Sequence, residues 1–218
     1  MKMYDMASRM AFFLAREVGL EQARVDNVRF GLEIIMGEII KWAILLSVAV
    51  ALGVLPGVLF TMISTALIRL VSGGAHCEDY WRCLVFGLLV FLGTAKIGVY
   101  AAPFLSRTNL LAIIVAGLLI IAVLTLIWAP GEVPNRKIKE GERGFFKGLA
   151  LAFITVWAFV TVFIILPYNA SVAMAGLLGT IVQALSFSPF GFRLIDRFDI
   201  TLSKIVGERR CPNHAENA

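Results

Sequence analysis

The chain has 218 residues, 59% of them hydrophobic and 16% charged, and its mean hydropathy is +0.85. A soluble domain carries about 45–50% apolar and about 25% charged residues, so intrinsic disorder and an ordinary soluble core are both excluded; three cysteines are too few for a disulfide framework. Lys and Arg total 20 against 15 Asp and Glu, a net charge of +5, and in a bilayer the placement of the basic residues says more than their sum.

The opening stretch MKMYDMASRMAFFLAREVG is interrupted by Asp5, Arg9, Arg16 and Glu17 and lacks the apolar centre of a signal peptide. Its Met3, Met6, Ala7, Met10, Phe13 and Leu14 follow helical spacing, and Val25, Val28, Leu32, Ile35, Met36 and Ile39 continue that pattern. Six stretches then have the apolarity of a span, which needs about 20 residues: 39–55, 58–71, 83–105, 109–128, 148–166 and 170–187. Pro56 and Gly57 are expected to turn the chain between the first two. Lys96 inside the third must face the bundle interior or snorkel, and Glu38 and Lys41 sit at the start of the first. After the last span, Leu194, Ile195, Phe198, Leu202, Ile205 and Val206 form an apolar stripe with basic residues opposite. Such a face lies flat on a membrane surface or packs on the spans.

The reading is an all-α integral membrane protein with six transmembrane helices in one polytopic domain. Residues 1–33 are an amphipathic N-terminal region, 34–190 the bundle and 191–218 an amphipathic tail. The basic residues support that count. Lys2, Arg9, Arg16, Arg24 and Arg29 precede the first span, Arg82 lies between the second and third, and Arg136, Lys137, Lys139, Arg143 and Lys147 lie between the fourth and fifth. Arg193, Arg197, Lys204, Arg209 and Arg210 follow the sixth, whereas the opposite connections hold Arg107 alone. This places both termini in the cytoplasm.

Chemistry concentrates in Arg69–Cys83, RLVSGGAHCEDYWRC, which holds one of the two His and two of the three Cys. Ser72-Gly73-Gly74 is expected to break the helix, since Gly is costly in helix interiors, and irregular backbone at membrane depth is tolerated only against protein or a wet cavity. A thiol nucleophile needs a base or a cation beside it. On one straight helix His76 and Cys83 would share a face but lie about 10.5 Å apart along the axis, too far for proton transfer. A loop at the glycines would let His76 fold back over Cys83 at the start of the third span. There a helix N-terminus favours an anion, and the Gly73 and Gly74 amides are candidate oxyanion donors. Two other readings stay open: His76 as an interfacial polar residue with Cys83 a small buried apolar one, or zinc held by His76, Cys77, Cys83, Cys211 and His214, whose spacings match no standard zinc pattern. A second unusual stretch, residues 129–148, is the longest polar connection, with two Pro and five basic residues.

Arg69, Ser72-Gly73-Gly74, Ala75-His76 and Cys83 resemble the accessory gene regulator B family, bacterial integral-membrane cysteine endopeptidases that process the precursor of a cyclic quorum-sensing peptide. APGEVPNRKI, residues 129–138, resembles that family's Ala-Pro loop after the fourth span, and the likeness covers essentially the whole chain. It departs in detail, with Pro134 before Asn135 and Lys137-Ile138 where Lys-Pro-Ile is common. The resemblance implies Cys83 as nucleophile, His76 as general base and Arg69 and Gly74 as important positions. Glu132, Asn135, Arg136 and Lys137 are the substrate-binding candidates of the loop. The implied partner is a short propeptide with an amphipathic leader and an acidic C-terminal tail, acting at the plasma membrane without metal, organic cofactor or nucleic acid. A homodimer is left open. The alternative from another class is a small membrane transporter or peptide-binding protein that uses Lys96, Glu38 and Lys41 as pathway residues without covalent chemistry.

The charge asymmetry makes a direct prediction. Reporter fusions after Pro56, Arg107 and Asn169 are expected to read outside the cell and those at Arg82 and Arg143 inside; a cytoplasmic signal at Arg107 breaks the topology.

Overall fold

The computed structural model describes residues 3–19, 22–75, 77, 79–131 and 140–206. These form α1 (Met3–Val18), α2 (Gln22–Ala51), α3 (Leu55–Ser72), α4 (Tyr80–Ala101) with a 3-10 turn at Ala102–Phe104, and α5 (Arg107–Trp128). Then come α6 (Glu140–Phe159), a π-helical stretch at Val160–Ile165, α7 (Leu166–Tyr168), α8 (Ala170–Ser186) and α9 (Pro189–Val206). Five helical segments are long and apolar enough to cross a membrane: Arg24–Ala51, Leu55–Ser72, Tyr80–Phe104, Arg107–Trp128 and Gly141–Tyr168. A sixth is counted when α8 and α9, bent by 93° at their junction, are taken as one broken span.

The chain divides into two compact units, Met1–Val48 and Ala49–Ala218. In the first, the ridge that packs is made of alanines. Ala7, Ala11 and Ala15 are buried, with Ala11 and Ala15 in a cluster with Val25 that Val28 and Leu32 extend. Met6, Met10, Phe13 and Leu14 of the expected stripe point outward. Small side chains let helices approach closely, and the bulky ones are left for an apolar surround. Arg29 lies 4.6 Å above the Tyr4 ring and is paired with Glu33 at 3.0 Å and Asp26 at 3.3 Å. Glu38 contacts Lys41 one turn away.

In the second unit α8 is the central element, buried along most of its length from Val172 to Ser186. Its small residues set that position. Gly176 accommodates the Phe60 ring and Gly179 the Thr61 methyl of α3; a Cβ on Gly98 of α4 would run into the Ser171 carbonyl oxygen and lie 3.0 Å from Ala175 N. Around it, α5 buries Leu110, Ile114, Gly117, Ile121 and Thr125 and turns Val115, Leu119, Ile120, Val123 and Ile127 outward, one helical stripe each. Trp157 of α6 donates to Ser64 Oγ at 2.7 Å and stacks on Phe60, so its indole N–H is satisfied inside the bundle.

The turn between the first two spans lies earlier than expected. α2 stops at Ala51, Gly53 takes φ 67°, and Val54 N donates to Ala49 O at 2.9 Å. Pro56 falls within the first turn of α3, where its missing N–H leaves no helical bond unmade. Gly57 is buried in that helix, its Cβ position 3.3 Å from Ala95 and 3.4 Å from Ala175. Lys96 snorkels: its Nζ donates to Leu52 O at 3.3 Å and lies 5.7 Å from the Tyr100 ring centre.

Because a methyl group on Gly98 has nowhere to go, Gly98→Ala is expected to destabilise the detergent-solubilised protein by about 2 kcal/mol or more. Gly93→Ala, whose Cβ meets nothing within 4 Å, is expected to unfold at or above the wild-type temperature, as helix propensity favours Ala.

Candidate functional site

The helix break expected at Ser72-Gly73-Gly74 is present. Gly73 and Gly74 have φ of 69° and 141°, values that L side chains rarely adopt, and the described residues from Gly73 to Asp79 are not helical. The Gly73 amide donates to Arg69 O at 2.9 Å and closes α3. The start of the segment is held from α3, α8 and the end of α5. Gln183 Nε2 donates to Gly73 O at 3.0 Å, Ala75 N to Ser186 O at 3.0 Å, and Arg69 Nη2 to Ala75 O at 2.7 Å. Gly131 N donates to Ser72 O at 2.8 Å. The last contact joins the two stretches that stood out in the sequence, since Gly131 belongs to the Ala-Pro loop. The approach is close: a Cβ on Gly73 would lie 2.9 Å from Gly131 O, and one on Gly74 would lie 2.5 Å from Ser186 Oγ.

The chain re-enters a helix at Tyr80, with Asp79 as the extended cap residue. Cys83 N donates to Asp79 O at 3.0 Å, so Cys83 sits in the first turn of α4, where the helix dipole presents its positive end. Cys83 and Cys77 are both free thiols and half-buried. Burial pushes the Cys77 thiol up to about 12, with Cys83 and Asp199 adding to the rise and Arg82 and Arg69 opposing it. Beside Cys83, Arg82 Nη1 pairs with Asp199 Oδ2 of α9 at 3.2 Å and donates to Asp199 O at 3.4 Å. These two are the only buried charged side chains among the described residues.

The structure thus sets Arg69, in the last turn of α3, against the loop that carries Gly73 and Gly74, and sets Cys83 in the first turn of the helix that follows. His76, Glu132, Asn135, Arg136 and Lys137 lie outside the described residues, as do Cys211 and His214 of the zinc alternative. Among the described residues no group of three His, Cys, Asp or Glu side chains is arranged to hold a metal. Past Gly131, a cleft of about 360 Å³ is lined by Trp128, Pro130, Phe187 and Phe192, with Arg143 and Lys147 from α6.

Sequence reasoning did not single out Gln183, Ser186 or Asp199. Gln183 was visible as the one amide in an otherwise uncharged span. Asp199 was visible as a carboxylate four residues after Ile195, on the inward face of the tail helix.

Comparison with known proteins matches residues 7–187 to the family model described as Accessory gene regulator B. Accessory gene regulator protein B of Staphylococcus aureus (strain bovine RF122 / ET3-1) is 26% identical over 191 residues, 84% of this chain and 93% of that protein. An AgrB-like protein of Clostridium perfringens (strain SM101 / Type A) is 21% identical over 204 residues, covering 88% and 94%. One of Clostridium beijerinckii is 28% identical over 146 residues, covering 67% and 70%. No solved structure matches.

The raised Cys77 pKa predicts a pH profile. At pH 8 only about one Cys77 in ten thousand carries a thiolate, so its alkylation by iodoacetamide, followed residue by residue by mass spectrometry in the wild-type protein, is expected to rise about tenfold per pH unit through pH 11. A plateau below pH 10 overturns this assignment.

Proposed function

Because the chain belongs to the accessory gene regulator B family, we propose that this multi-pass membrane protein is a cysteine endopeptidase that cuts the acidic tail from a short propeptide and promotes its cyclisation. The observation that carries the reading is the place of Cys83, in the first turn of α4, with the described residues between Gly73 and Asp79 outside any helix. A nucleophile and its base on one straight helix would be too far apart; the break removes that obstacle.

In this reading Cys83 Sγ attacks the carbonyl carbon before the acidic tail while His76 takes the thiol proton. The C–N bond breaks, His76 passes the proton to the departing amine, and the tail leaves. The peptide remains as a thioester on Cys83. A Cys thiol or Ser hydroxyl in the same peptide then attacks that carbon, closing a thiolactone or lactone and returning a proton to Cys83. Exchange of one thioester for another nearly conserves bond energy, so ring closure needs no nucleoside triphosphate when water is excluded. The Gly73 amide is engaged by Arg69 O, which leaves Gly74 as the loop's oxyanion donor. Arg143 and Lys147 in the cleft beside Gly131, together with Arg136 and Lys137, give the acidic tail its countercharge. The basic-residue asymmetry supports a site and termini that face the cytoplasmic side of a bacterial plasma membrane.

The test uses purified protein in liposomes and short synthetic peptides with an amphipathic leader, a central Cys or Ser and an acidic C-terminal tail. Cys83→Ser and His76→Ala are each expected to slow cleavage by about a hundredfold or more, while Cys77→Ala and Cys211→Ala retain it. A peptide adduct on Cys83 that hydroxylamine releases is expected when the peptide's own ring-closing residue is replaced by Ala. Full cleavage by Cys83→Ala protein overturns the mechanism. A chelator that stops cleavage returns the zinc reading, and an uncut peptide in every preparation returns the transporter.

A further inference from the structure

The helix α9 carries the one buried carboxylate among the described residues, and that carboxylate is aimed at the turn that holds Cys83. The helix bends 93° away from α8 and meets the start of α4 at two points. The Phe198 ring sets its edge against Phe86, with centroids 5.3 Å apart, and Asp199 pairs with Arg82 at 3.2 Å, the two side chains 2% and 7% exposed. Arg82 is the residue before Cys83, inside the same first turn that the Cys83 N–H to Asp79 O bond closes. Bringing a carboxylate and a guanidinium out of water is costly, and such pairs are often less stabilising than the apolar residues that would fill the same space. Burial here is therefore poorly explained by stability. What a fixed pair of charges supplies is direction: it holds one backbone turn against another helix in a single arrangement.

We infer that Asp199 and Arg82 are positioning residues that fix the first turn of α4 and with it the direction of the Cys83 thiol, so that α9 is a wall of the reaction site. The inference rests on the reading of Cys83 as the nucleophile. Asp199 is one of the few buried residues of α9, and its charge and that of Arg82 bear in opposite senses on the Cys77 thiol of the loop.

The test follows two readouts in liposomes, modification of Cys83 by N-ethylmaleimide in a Cys77→Ala, Cys211→Ala background, and cleavage of the propeptide. Asp199→Asn and Arg82→Gln are expected to loosen the turn and speed Cys83 modification about fivefold or more. The same variants should lower kcat about tenfold or more with KM within about threefold, because misplacement of a reacting atom by an ångström is enough for that loss. The exchange Arg82→Asp with Asp199→Arg is expected to return both readouts to within about threefold of wild type. Ser203→Ala, on the same buried face, should change neither. A reporter thiol in the core, Thr180→Cys, should stay unmodified in the Asp199→Asn protein. Cys83 modification within twofold of wild type in both single variants overturns the inference, and so does equally fast modification of the Thr180→Cys reporter. Wild-type protein that cuts no propeptide while the modification pattern holds removes the peptidase reading and leaves the positioning of Cys83 standing.

Discussion

At the depth of a bilayer an amide or carbonyl that leaves the helical ladder must find another protein group, and the break at Ser72, Gly73 and Ala75 meets that demand with partners from three directions. The C-terminal turn of α8 supplies the Gln183 amide and the Ser186 carbonyl, the last turn of α3 supplies Arg69, and the chain leaving α5 supplies Gly131. Everything else in the second unit follows from bringing those three ends together. α8 reaches its central place because Gly176, Gly179, Ala173 and Ala175 let α3 and α4 close in on it. If those positions were bulky, Gln183 and Ser186 would stand away from the loop and its polar backbone would be bare.

That arrangement also explains how the two glycines divide their work. Gly73 ends α3 and presses its backbone on Gly131; Gly74 turns the chain past Ser186 in a conformation closed to other residues. Neither could carry a side chain, for reasons of angle and of space at once. The turn at Gly73 and Gly74 is therefore closely specified, which is the condition under which a loop residue can be placed for chemistry.

Much of this was legible in the amino-acid order, and the exceptions share a cause. Long uncharged runs such as 109–128 announce their helices, and the Gly-Gly break announces its loop, because lipid permits few alternatives. The turn at Gly53 was hidden because Pro56 and Gly57 are stronger turn signals in isolation, yet Pro is at home in a first helical turn and Gly57 serves a close contact with Ala95 and Ala175. The packing ridge of α1 was hidden because hydropathy ranks Met and Phe above Ala, whereas helices that meet in an apolar medium select for small size. The tail helix is amphipathic as its spacing suggests, and its inward face holds a charged residue that the apolar stripe did not name. Ile195 is buried as its periodicity suggests, but Leu194, Ile205 and Val206 are exposed and Asp199 is among the most buried residues of the helix. A carboxylate on that face becomes intelligible only once Arg82, more than a hundred residues earlier, is seen opposite. The link between Ser72 and Gly131 is of the same long-range kind.

The Ser72–Gly131 hydrogen bond makes two distant stretches of chain into one mechanical part. The cleft lined by Pro130, Gly131, Arg143 and Lys147 lies on one side of that bond and the Gly-Gly loop on the other. A molecule seated in the cleft would restrain Gly131 and, through its amide, the carbonyl of Ser72. Order gained at the cleft would in that way reach the backbone beside the Gly-Gly loop, and the entropy of fixing it would be met once.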